Sequence, residues 1–234
     1  MDFAYISFVN NNQTYIDLLK QTIRSVKTFS KYKIIVYCID MPENIFTNDD
    51  KVIVKHLRNI NLPIIYYYKP FIIKDAIESG LVKQAYYIEC DDVITPYCDR
   101  LLFFANNLDK LPISPIHPDD VDIPFDNLKI MNVHKTQHYI HAHVLFKYTN
   151  LEFIKEWLDG CMMYLHYRNA DETVLNCMYW KYNCKYHYLD IIDPWYENFY
   201  TDEKTRETSC TFHGCKDVKI QQKLLDDMIK YYKI

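Results

Sequence analysis

The sequence predicts an α/β fold in which helices cover both faces of a mostly parallel central sheet. The first half of the chain alternates short, continuously apolar runs with longer stretches whose apolar residues recur every three or four positions. Continuous apolar runs are typical of strands buried on both faces, as the strands of a parallel sheet are. Strand and helix patterns that alternate at this pace indicate parallel strands joined by crossover helices.

The first half of the chain supplies most of the predicted sheet. Its apolar runs predict strands at residues 4–10, 33–40, 51–57 and 85–89. Apolar positions at helical spacing predict a helix at residues 14–29, and Pro70 predicts the start of a second helix, because proline fits the first helical turn. Gly80 stands where a residue in the left-handed conformation would end that second helix.

The second half of the chain has a more mixed pattern. It predicts strands at residues 138–148 and 185–192, helices at residues 150–165, at residues 171–182 and near the C-terminus, and a surface loop at residues 117–127. There is no internal repeat and no low-complexity linker in the sequence. Residues 1–234 are therefore expected to form a single domain.

Composition and charge exclude several classes of protein. Hydrophobic residues make up 49% of the 234 residues, which is enough to bury a core and argues against disorder. The net charge of −4, without a basic stripe, argues against a nucleic-acid partner. The N-terminal residues lack the layout of a signal peptide, and no apolar run reaches the length of a transmembrane helix. A cytoplasmic location with reduced cysteines is expected.

An acidic cluster ends the fourth predicted strand, in the stretch QAYYIECDDVITP at residues 84–96. Its members Glu89, Asp91 and Asp92 have no lysine or arginine beside them in the sequence. Carboxylates this close repel one another, and a divalent cation is the simplest way to keep them ionised. The alternative is structural, with the acidic strand end capping a following helix at residues 96–104.

A second polar cluster, NNNQTY at residues 10–15, follows the first predicted strand. Open parallel sheets bind ligands beyond the carboxyl ends of their strands, so the two polar clusters are expected to line one crevice. Neither GxGxxG nor GxxxxGK[ST] occurs in the sequence, which argues against a dinucleotide-binding site and a P-loop.

The stretch YIECDDVITP resembles the acidic D-x-D signature of metal-dependent glycosyltransferases with the GT-A fold. Glu89 takes the place of the first aspartate, Asp91 that of the second, and Asp92 is an additional acid. The resemblance implies the GT-A fold and a Mn²⁺ or Mg²⁺ cofactor held by these three carboxylates.

The order of strand, NNNQTY and helix is similar to the start of glycogenin-like and bacterial lipopolysaccharide glycosyltransferases. This resemblance implies that Tyr15 stacks on uracil and that Asn10 and Asn12 contact the base or ribose. Lys74, on the helix before the acidic strand, matches a lysine that reaches the sugar nucleotide in those enzymes, and Lys69 competes for the same role. A tyrosine packed on a loop and a solvated helix lysine are the structural alternatives.

Two later stretches extend the resemblance. ADETVLN at residues 170–176 resembles the DQDxLN helix start that holds the donor sugar, which implies catalytic roles for Asp171 and Glu172. Asp171 also fits an ordinary helix N-cap. TFHGCK at residues 211–216 resembles a shortened HxxGxxK element, which implies that His213 completes the metal site and that Lys216 contacts the diphosphate.

Histidine and cysteine leave two further interpretations open. Cys210, His213 and Cys215 form a zinc alternative that lacks a fourth ligand and regular spacing. His141 and His143 stand where similar enzymes have a small turn, and they either contact the acceptor or fill the edge of the sheet.

The motifs together predict a metal-dependent glycosyltransferase that moves a sugar from a UDP-sugar donor to a hydroxyl of a glycan or protein acceptor. Similarity to the glycogenin group implies retention of anomeric configuration. Residues 1–110 would bind the nucleotide, and residues 111–234 would form the acceptor side and the C-terminal helix. The alternatives are a non-catalytic domain that binds sugar nucleotides or glycans, and a nucleotidyltransferase. The sequence leaves the donor sugar, the acceptor and the oligomeric state open.

Overall fold

The computed structural model describes residues 1–100, 120–123, 128–129, 131–141, 143–163, 170–182 and 194–234. The predicted strand at residues 185–192 lies outside the described residues, as do residues 101–104 of the predicted helix at 96–104 and parts of the predicted loop at 117–127. Within the described ranges, no helix combines the length and the apolar character that a membrane span requires.

The described residues form strands and helices in the predicted alternation. The strands are β1 (Phe3–Asn10), β2 (Lys33–Ile39), β3 (Val52–Leu57), β4 (Gln84–Tyr87), β5 (Val93–Ile94), β6 (Leu145–Lys147) and β7 (Thr211–Phe212). The helices are α1 (Gln13–Phe29), α2 (Tyr68–Glu78), α3 (Leu151–Met163), α4 (Ala170–Lys181), α5 (Asn198–Thr201), α6 (Glu203–Thr208) and α7 (Val218–Tyr232).

The central sheet has the strand order β3-β2-β1-β4-β6 in the part of the chain that is described. The first four of these strands run parallel, and β6 pairs antiparallel with β4. In this register Ile6 of β1 lies between Ile35 of β2 and Tyr87 of β4. Strands β5 and β7 form a small antiparallel sheet. The predicted α/β class with a mostly parallel sheet is confirmed.

Alternate residues of a strand face opposite sides of the sheet, and β1 therefore contributes to two cores. Tyr5 and Val9 belong to the core beneath α1 and α7, whereas Ala4 and Ile6 belong to the core beneath α2, α3 and α4. All four side chains are buried. Burial on both faces is why β1 reads as a continuous apolar run rather than as an alternating one.

Helix α1 is positioned by its cap and by its apolar face. The side chain of Asn12 accepts a hydrogen bond from the backbone N–H of Thr14 (3.0 Å) and begins the helix. Ile16, Leu19 and Val26 are buried against the sheet. Complete burial of an aliphatic side chain of this size contributes about 1.5–3 kcal/mol, so this face holds α1 on the sheet.

Helix α2 ends as the sequence predicts. Gly80 follows the C-cap residue Ser79 and has a φ of +69°, a conformation that glycine adopts at no steric cost. The helix begins at Tyr68, two residues before Pro70, which still lies in the first turn, where a backbone N–H is not needed. Strand β4 follows Gly80 closely, and its last residue, Tyr87, pairs with Ile6 of β1.

The predicted strand at residues 138–148 is wrong in its first half, because among the described residues of this range only Leu145–Lys147 forms a strand. The side chain of Asn176 on α4 accepts a hydrogen bond from Ile140 N (2.8 Å) and donates one to Ile140 O (3.0 Å). A side-chain amide thus bonds both backbone polar groups of Ile140. Residues 138–141 therefore leave the sheet and approach the acidic cluster.

Candidate functional site

A cavity of about 180 Å³ opens at the carboxyl ends of β1 and β4. Its walls include polar and charged side chains from four separate parts of the chain: Asn10, Tyr15, Lys69, Glu89, Asp91 and Lys216. Five of these six residues were predicted site residues, and Lys69 was the competing candidate to Lys74. The structure thus brings the NNNQTY cluster, the acidic cluster and the end of the TFHGCK stretch to one place.

The start of α1 gives the cavity an aromatic wall. Tyr15 lies in the first turn of the helix, is 46% exposed and lines the cavity, so its ring is accessible to a ligand. Asn10, at the end of β1, lines the same cavity and a second hollow beside it that Ile39 and Tyr68 also border. Asn12 caps α1 instead, with its side-chain oxygen directed at Thr14 N.

The lysine at the site is Lys69 and not Lys74. Lys69 is buried, and its Nζ lies 2.7 Å from Glu89 and 3.1 Å from Asp171. Lys74 instead forms a surface ion pair with Glu78 one turn further along α2. Five helical residues rotate the side-chain direction by roughly 140°, so these two lysines face different ways.

The ion pairs of Lys69 shift the pKa values of Lys69 itself and of Glu89. Burial opposes the charge on Lys69, but Asp171 and Glu89 outweigh it and hold its pKa well above the usual range. Burial likewise opposes the charge on Glu89, and Lys69, with smaller contributions from His143 and His141, holds the pKa of this carboxyl well below its usual range. The acidic cluster has no base beside it in the sequence, but the fold supplies one from α2.

Asp91 is in a different environment from Glu89. Its side chain lines the cavity, and the residue is only 8% exposed. Burial raises the pKa of Asp91 to about 7, and the negative charges of Glu89 and Asp92 add to this increase. Asp91 is therefore a carboxyl group poised between its neutral and charged forms near neutral pH.

Asp92 is fully buried and holds the acidic turn together. Its Oδ2 accepts hydrogen bonds from Glu89 N (2.6 Å) and from His143 Nε2 (2.6 Å). The Asp92 side chain therefore closes the turn that presents Asp91 to the cavity. His143, for which acceptor contact and sheet-edge packing were the alternatives, is buried against this carboxylate.

Aromatic rings continue from His143 towards the protein surface. The rings of His141 and His143 stack at a centroid distance of 4.2 Å, and their Nδ1 atoms are in contact. His213 lies 4.8 Å from the His141 ring and 4.3 Å from the ring of Trp195. This series of rings joins the acidic turn to an exposed tryptophan that sequence reasoning missed.

Trp195 is fixed by the backbone that follows β7. It forms an isolated β-bridge with His213, and a Cβ atom on Gly214 would lie 2.5 Å from the indole. Gly214 also has a φ of +79°, so glycine is required both by the backbone and by the indole that packs on it. Trp195 nevertheless stays 40% exposed. The sequence has three glycines, and a position that keeps one of them was the available signal for this contact.

The start of α4 provides the second carboxylate partner of Lys69. Asp171 is 2% exposed, and its carbonyl accepts a hydrogen bond from Trp157 Nε1 (2.7 Å). Glu172 is partly exposed and accepts a hydrogen bond from the hydroxyl of Tyr139 (3.4 Å). Asp171 is thus held in place by Lys69, while Glu172 is more accessible.

In the described part of the chain, no group of three or more His, Cys, Asp and Glu side chains is arranged to hold a metal ion. Of the predicted ligands, Glu89 is paired with Lys69, Asp92 is paired with His143, and Asp91 lines the cavity. Asp91 and Glu89 still fit an ion of the magnesium type, which takes one or two carboxylates and completes its shell with water and substrate phosphates. A bound cation would reduce the electrostatic repulsion between these neighbouring carboxylates.

The zinc alternative is not supported. Within the described residues no such metal group is found, and both of its thiols have hydrogen-bond acceptors instead. Cys210 Sγ donates to the carbonyl of Tyr97 (3.6 Å), and Cys215 Sγ donates to that of Asp217 (3.7 Å).

Two solved structures that share this fold are both described as glycosyltransferases. The galactosyltransferase LgtC in complex with donor and acceptor sugar analogs matches with a TM-score of 0.60 and 12% identity, over 96% of this chain and 95% of the other. The bifunctional glycosyltransferase WbbM in its apo form matches with a TM-score of 0.65 and 13% identity, over 99% of this chain and 51% of the other. This chain has the GT-A fold. No family model matches the sequence, and no curated protein does.

Proposed function

We propose that the chain is a glycosyltransferase that takes its sugar from a nucleoside-diphosphate donor, with UDP as the nucleotide. The observation that supports this most is the composition of the cavity at the ends of β1 and β4. Tyr15 offers an aromatic face, Lys216 a positive charge and Asp91 a carboxylate, which suit a base, a diphosphate and a bound cation respectively. The predicted fold and the location of the cavity at the strand ends agree with this function.

Donor binding would begin with the nucleotide. The exposed ring of Tyr15 would stack on the uracil, and Asn10, which borders both hollows, would contact the base or ribose. Lys216 would offset the charge of the diphosphate. Lys69 has a different task, because its ammonium group is already bound to Glu89 and Asp171.

Asp91, together with Glu89, would hold a Mn²⁺ or Mg²⁺ ion, and His213 remains the proposed imidazole ligand. Such an ion, when bound, stabilises negative charge that develops on a leaving diphosphate. Because Asp91 has a raised pKa, this residue gives up its remaining proton when a cation binds. Cation binding is therefore expected to strengthen as the pH rises through about 7.

The sugar would react beside the start of α4. Lys69 holds the side chain of Asp171 in place through an ion pair of 3.1 Å, which pre-organises this wall of the site before the donor arrives. Glu172 is the more accessible of the two acids and would face the positive charge that develops on the sugar. Retention of configuration remains a prediction that product analysis by NMR would test.

The acceptor would enter from the side of Trp195. A pyranose presents an apolar face that an exposed indole covers well, and this indole is held rigidly by Gly214 and His213. A glycan acceptor is therefore proposed in preference to a protein hydroxyl.

The test is a thermal-shift screen of UDP-, GDP- and dTDP-sugars with and without Mn²⁺, followed by measurement of donor hydrolysis and transfer for each donor that binds. We expect a UDP-sugar to bind and to be hydrolysed, and Lys216→Ala to weaken binding more than Lys219→Ala, a matched change on the exposed surface of α7. Binding without hydrolysis or transfer would assign the chain to the non-catalytic alternative. Release of pyrophosphate from a nucleoside triphosphate would assign it to the nucleotidyltransferases.

A further inference from the structure

Two buried polar side chains donate hydrogen bonds to the backbone of the acidic turn, residues 89–92. They lie on two helices that are distant from each other in the sequence. Thr22 on α1 has its Oγ1 2.8 Å from Cys90 O and 2.7 Å from Asp92 O. Gln221 on α7 has its Nε2 3.3 Å from Cys90 O and 3.2 Å from Asp92 O. Both Thr22 and Gln221 are fully buried.

The donors and acceptors of this cluster match in number. The hydroxyl of Thr22 supplies one proton and the amide of Gln221 supplies two. One amide proton goes to Thr22 Oγ1 (3.1 Å), which leaves one proton from each side chain for the two carbonyls. Because these two carbonyls belong to Cys90 and Asp92, both neighbours of Asp91 are held.

Packing alone does not account for glutamine at position 221. Among the described residues, Gln221 Oε1 is buried without a hydrogen-bond donor. An unmatched buried carbonyl costs stability, and a leucine would fill similar space without that cost. The amide nitrogen atom is therefore the part of this side chain that the site uses.

We propose that Thr22 and Gln221 are positioning residues that hold the backbone on both sides of Asp91, so that its carboxylate faces the cavity in the orientation needed to bind a cation beside the diphosphate of the donor. The C-terminal helix thereby becomes part of the donor site, although none of its side chains needs to touch the donor. The effect of these hydrogen bonds on donor binding rests on the proposed function, whereas their role in holding the turn does not.

The variants separate the hydrogen bond from the shape of each side chain. Thr22→Val removes the hydroxyl and keeps the shape, Thr22→Ser keeps the hydroxyl, and Gln221→Leu removes the amide. The matched controls are Thr28→Val, whose hydroxyl bonds Arg24 O on the exposed part of α1, and Gln222→Leu on the exposed side of α7.

The first measurement is hydrogen–deuterium exchange of peptides that cover residues 88–95, together with the unfolding free energy of each variant. We expect exchange of the turn to accelerate at least tenfold in Thr22→Val and Gln221→Leu, to recover in Thr22→Ser, and to be unchanged in the two controls. Acceleration spread evenly over the whole chain would mean global destabilisation. Unchanged exchange of the turn would mean that the two side chains do not stabilise it. Either result overturns the proposal.

The second measurement is the Kd of UDP at saturating Mn²⁺. We expect it to rise about tenfold in Thr22→Val and Gln221→Leu and to return to the wild-type value in Thr22→Ser. If the wild-type protein binds no sugar nucleotide, the proposed function fails. The exchange experiment still decides whether Thr22 and Gln221 hold the turn. If wild-type binding is clear and Thr22→Val binds as tightly as Thr28→Val, the positioning role is overturned and the proposed function stands.

Discussion

Replacement of Asp91 by asparagine should make the protein more stable at alkaline pH and leave its stability unchanged in acid. The pKa of Asp91 is raised by burial and by Glu89 and Asp92 from its ordinary value of 3.8 to about 7. Below the ordinary value the carboxyl is neutral in both the folded and unfolded states. As the pH rises towards 7, only the unfolded chain loses the proton, so the folded state loses stability relative to it.

The size of the effect follows from the same shift. At about 1.4 kcal/mol for each pH unit, a change from 3.8 to about 7 corresponds to an upper limit of roughly 4 kcal/mol. Asparagine is neutral at every pH and resembles protonated Asp91 in shape. The difference in unfolding free energy between Asp91→Asn and wild type should therefore grow from near zero at about pH 3 to about 2–4 kcal/mol at about pH 8.

Urea denaturation of both proteins without metal across this pH range measures the difference directly. Asp226→Asn is the control, since Asp226 forms an exposed ion pair with Arg24 that should contribute under about 1 kcal/mol at any pH. A loss of about 1 kcal/mol in Asp91→Asn at every pH would show that Asp91 acts as a cap, and the reasoning would be refuted.

Four further changes test other parts of the site. UDP at a hundred times its Kd should add about 2.7 kcal/mol to the unfolding free energy with Mn²⁺ and much less with EDTA, and equal stabilisation in calorimetry would exclude a metal-bridged diphosphate. Lys69→Met should cost about 3 kcal/mol because it leaves the buried carboxylate of Asp171 and the half-buried carboxylate of Glu89 without their cation, whereas Lys74→Met should cost under about 0.5 kcal/mol; similar losses in urea would contradict the ion-pair assignment. Trp195→Ala should lower the rate of transfer to a sugar acceptor at least tenfold and spare donor hydrolysis, unless the indole has no acceptor role. Gly160→Ala should cost about 1–3 kcal/mol, since its Cβ would lie 2.6 Å from Val174, and a stabilised variant would show that the α3–α4 contact is looser than described.

The parallel part of the fold could be predicted because its sequence signals are local. The residues of β1 and β2 are buried on both faces, which produces apolar runs that no surface strand would show. Gly80 indicated the end of α2 because glycine, unlike other residues, adopts a positive φ without steric cost. Each of these features depends on a few neighbouring residues and not on distant contacts.

The pairing of the acidic cluster could not be predicted in the same way. Glu89 meets Lys69 across the gap between β4 and α2, and Asp92 meets His143 from a segment more than fifty residues later in the chain. Which lysine of α2 reaches the site depends on the rotation of the helix about its axis. That rotation is set by packing against the sheet, so the sequence pattern alone does not show that Lys69, rather than Lys74, lines the cavity.

The prediction of a strand at residues 138–148 failed in its first half for a related reason. Alternating polar and apolar residues there satisfy the strand pattern, but the backbone of Ile140 is bonded by the side chain of Asn176. A competing partner of this kind is invisible until α4 is in place. The same tertiary contact moves His141 and His143 from the sheet edge to the acidic turn, where His143 meets Asp92.

The most direct test of the central claim is release of UDP from a UDP-sugar by the wild-type protein and by Asp91→Asn, each with Mn²⁺ and with EDTA. Wild type should release UDP only in the presence of Mn²⁺, and Asp91→Asn should release none although it remains folded by circular dichroism. Equal release by the two proteins would contradict the claim that Asp91 belongs to the donor site, and no release by wild type from any sugar nucleotide would contradict the proposed activity itself.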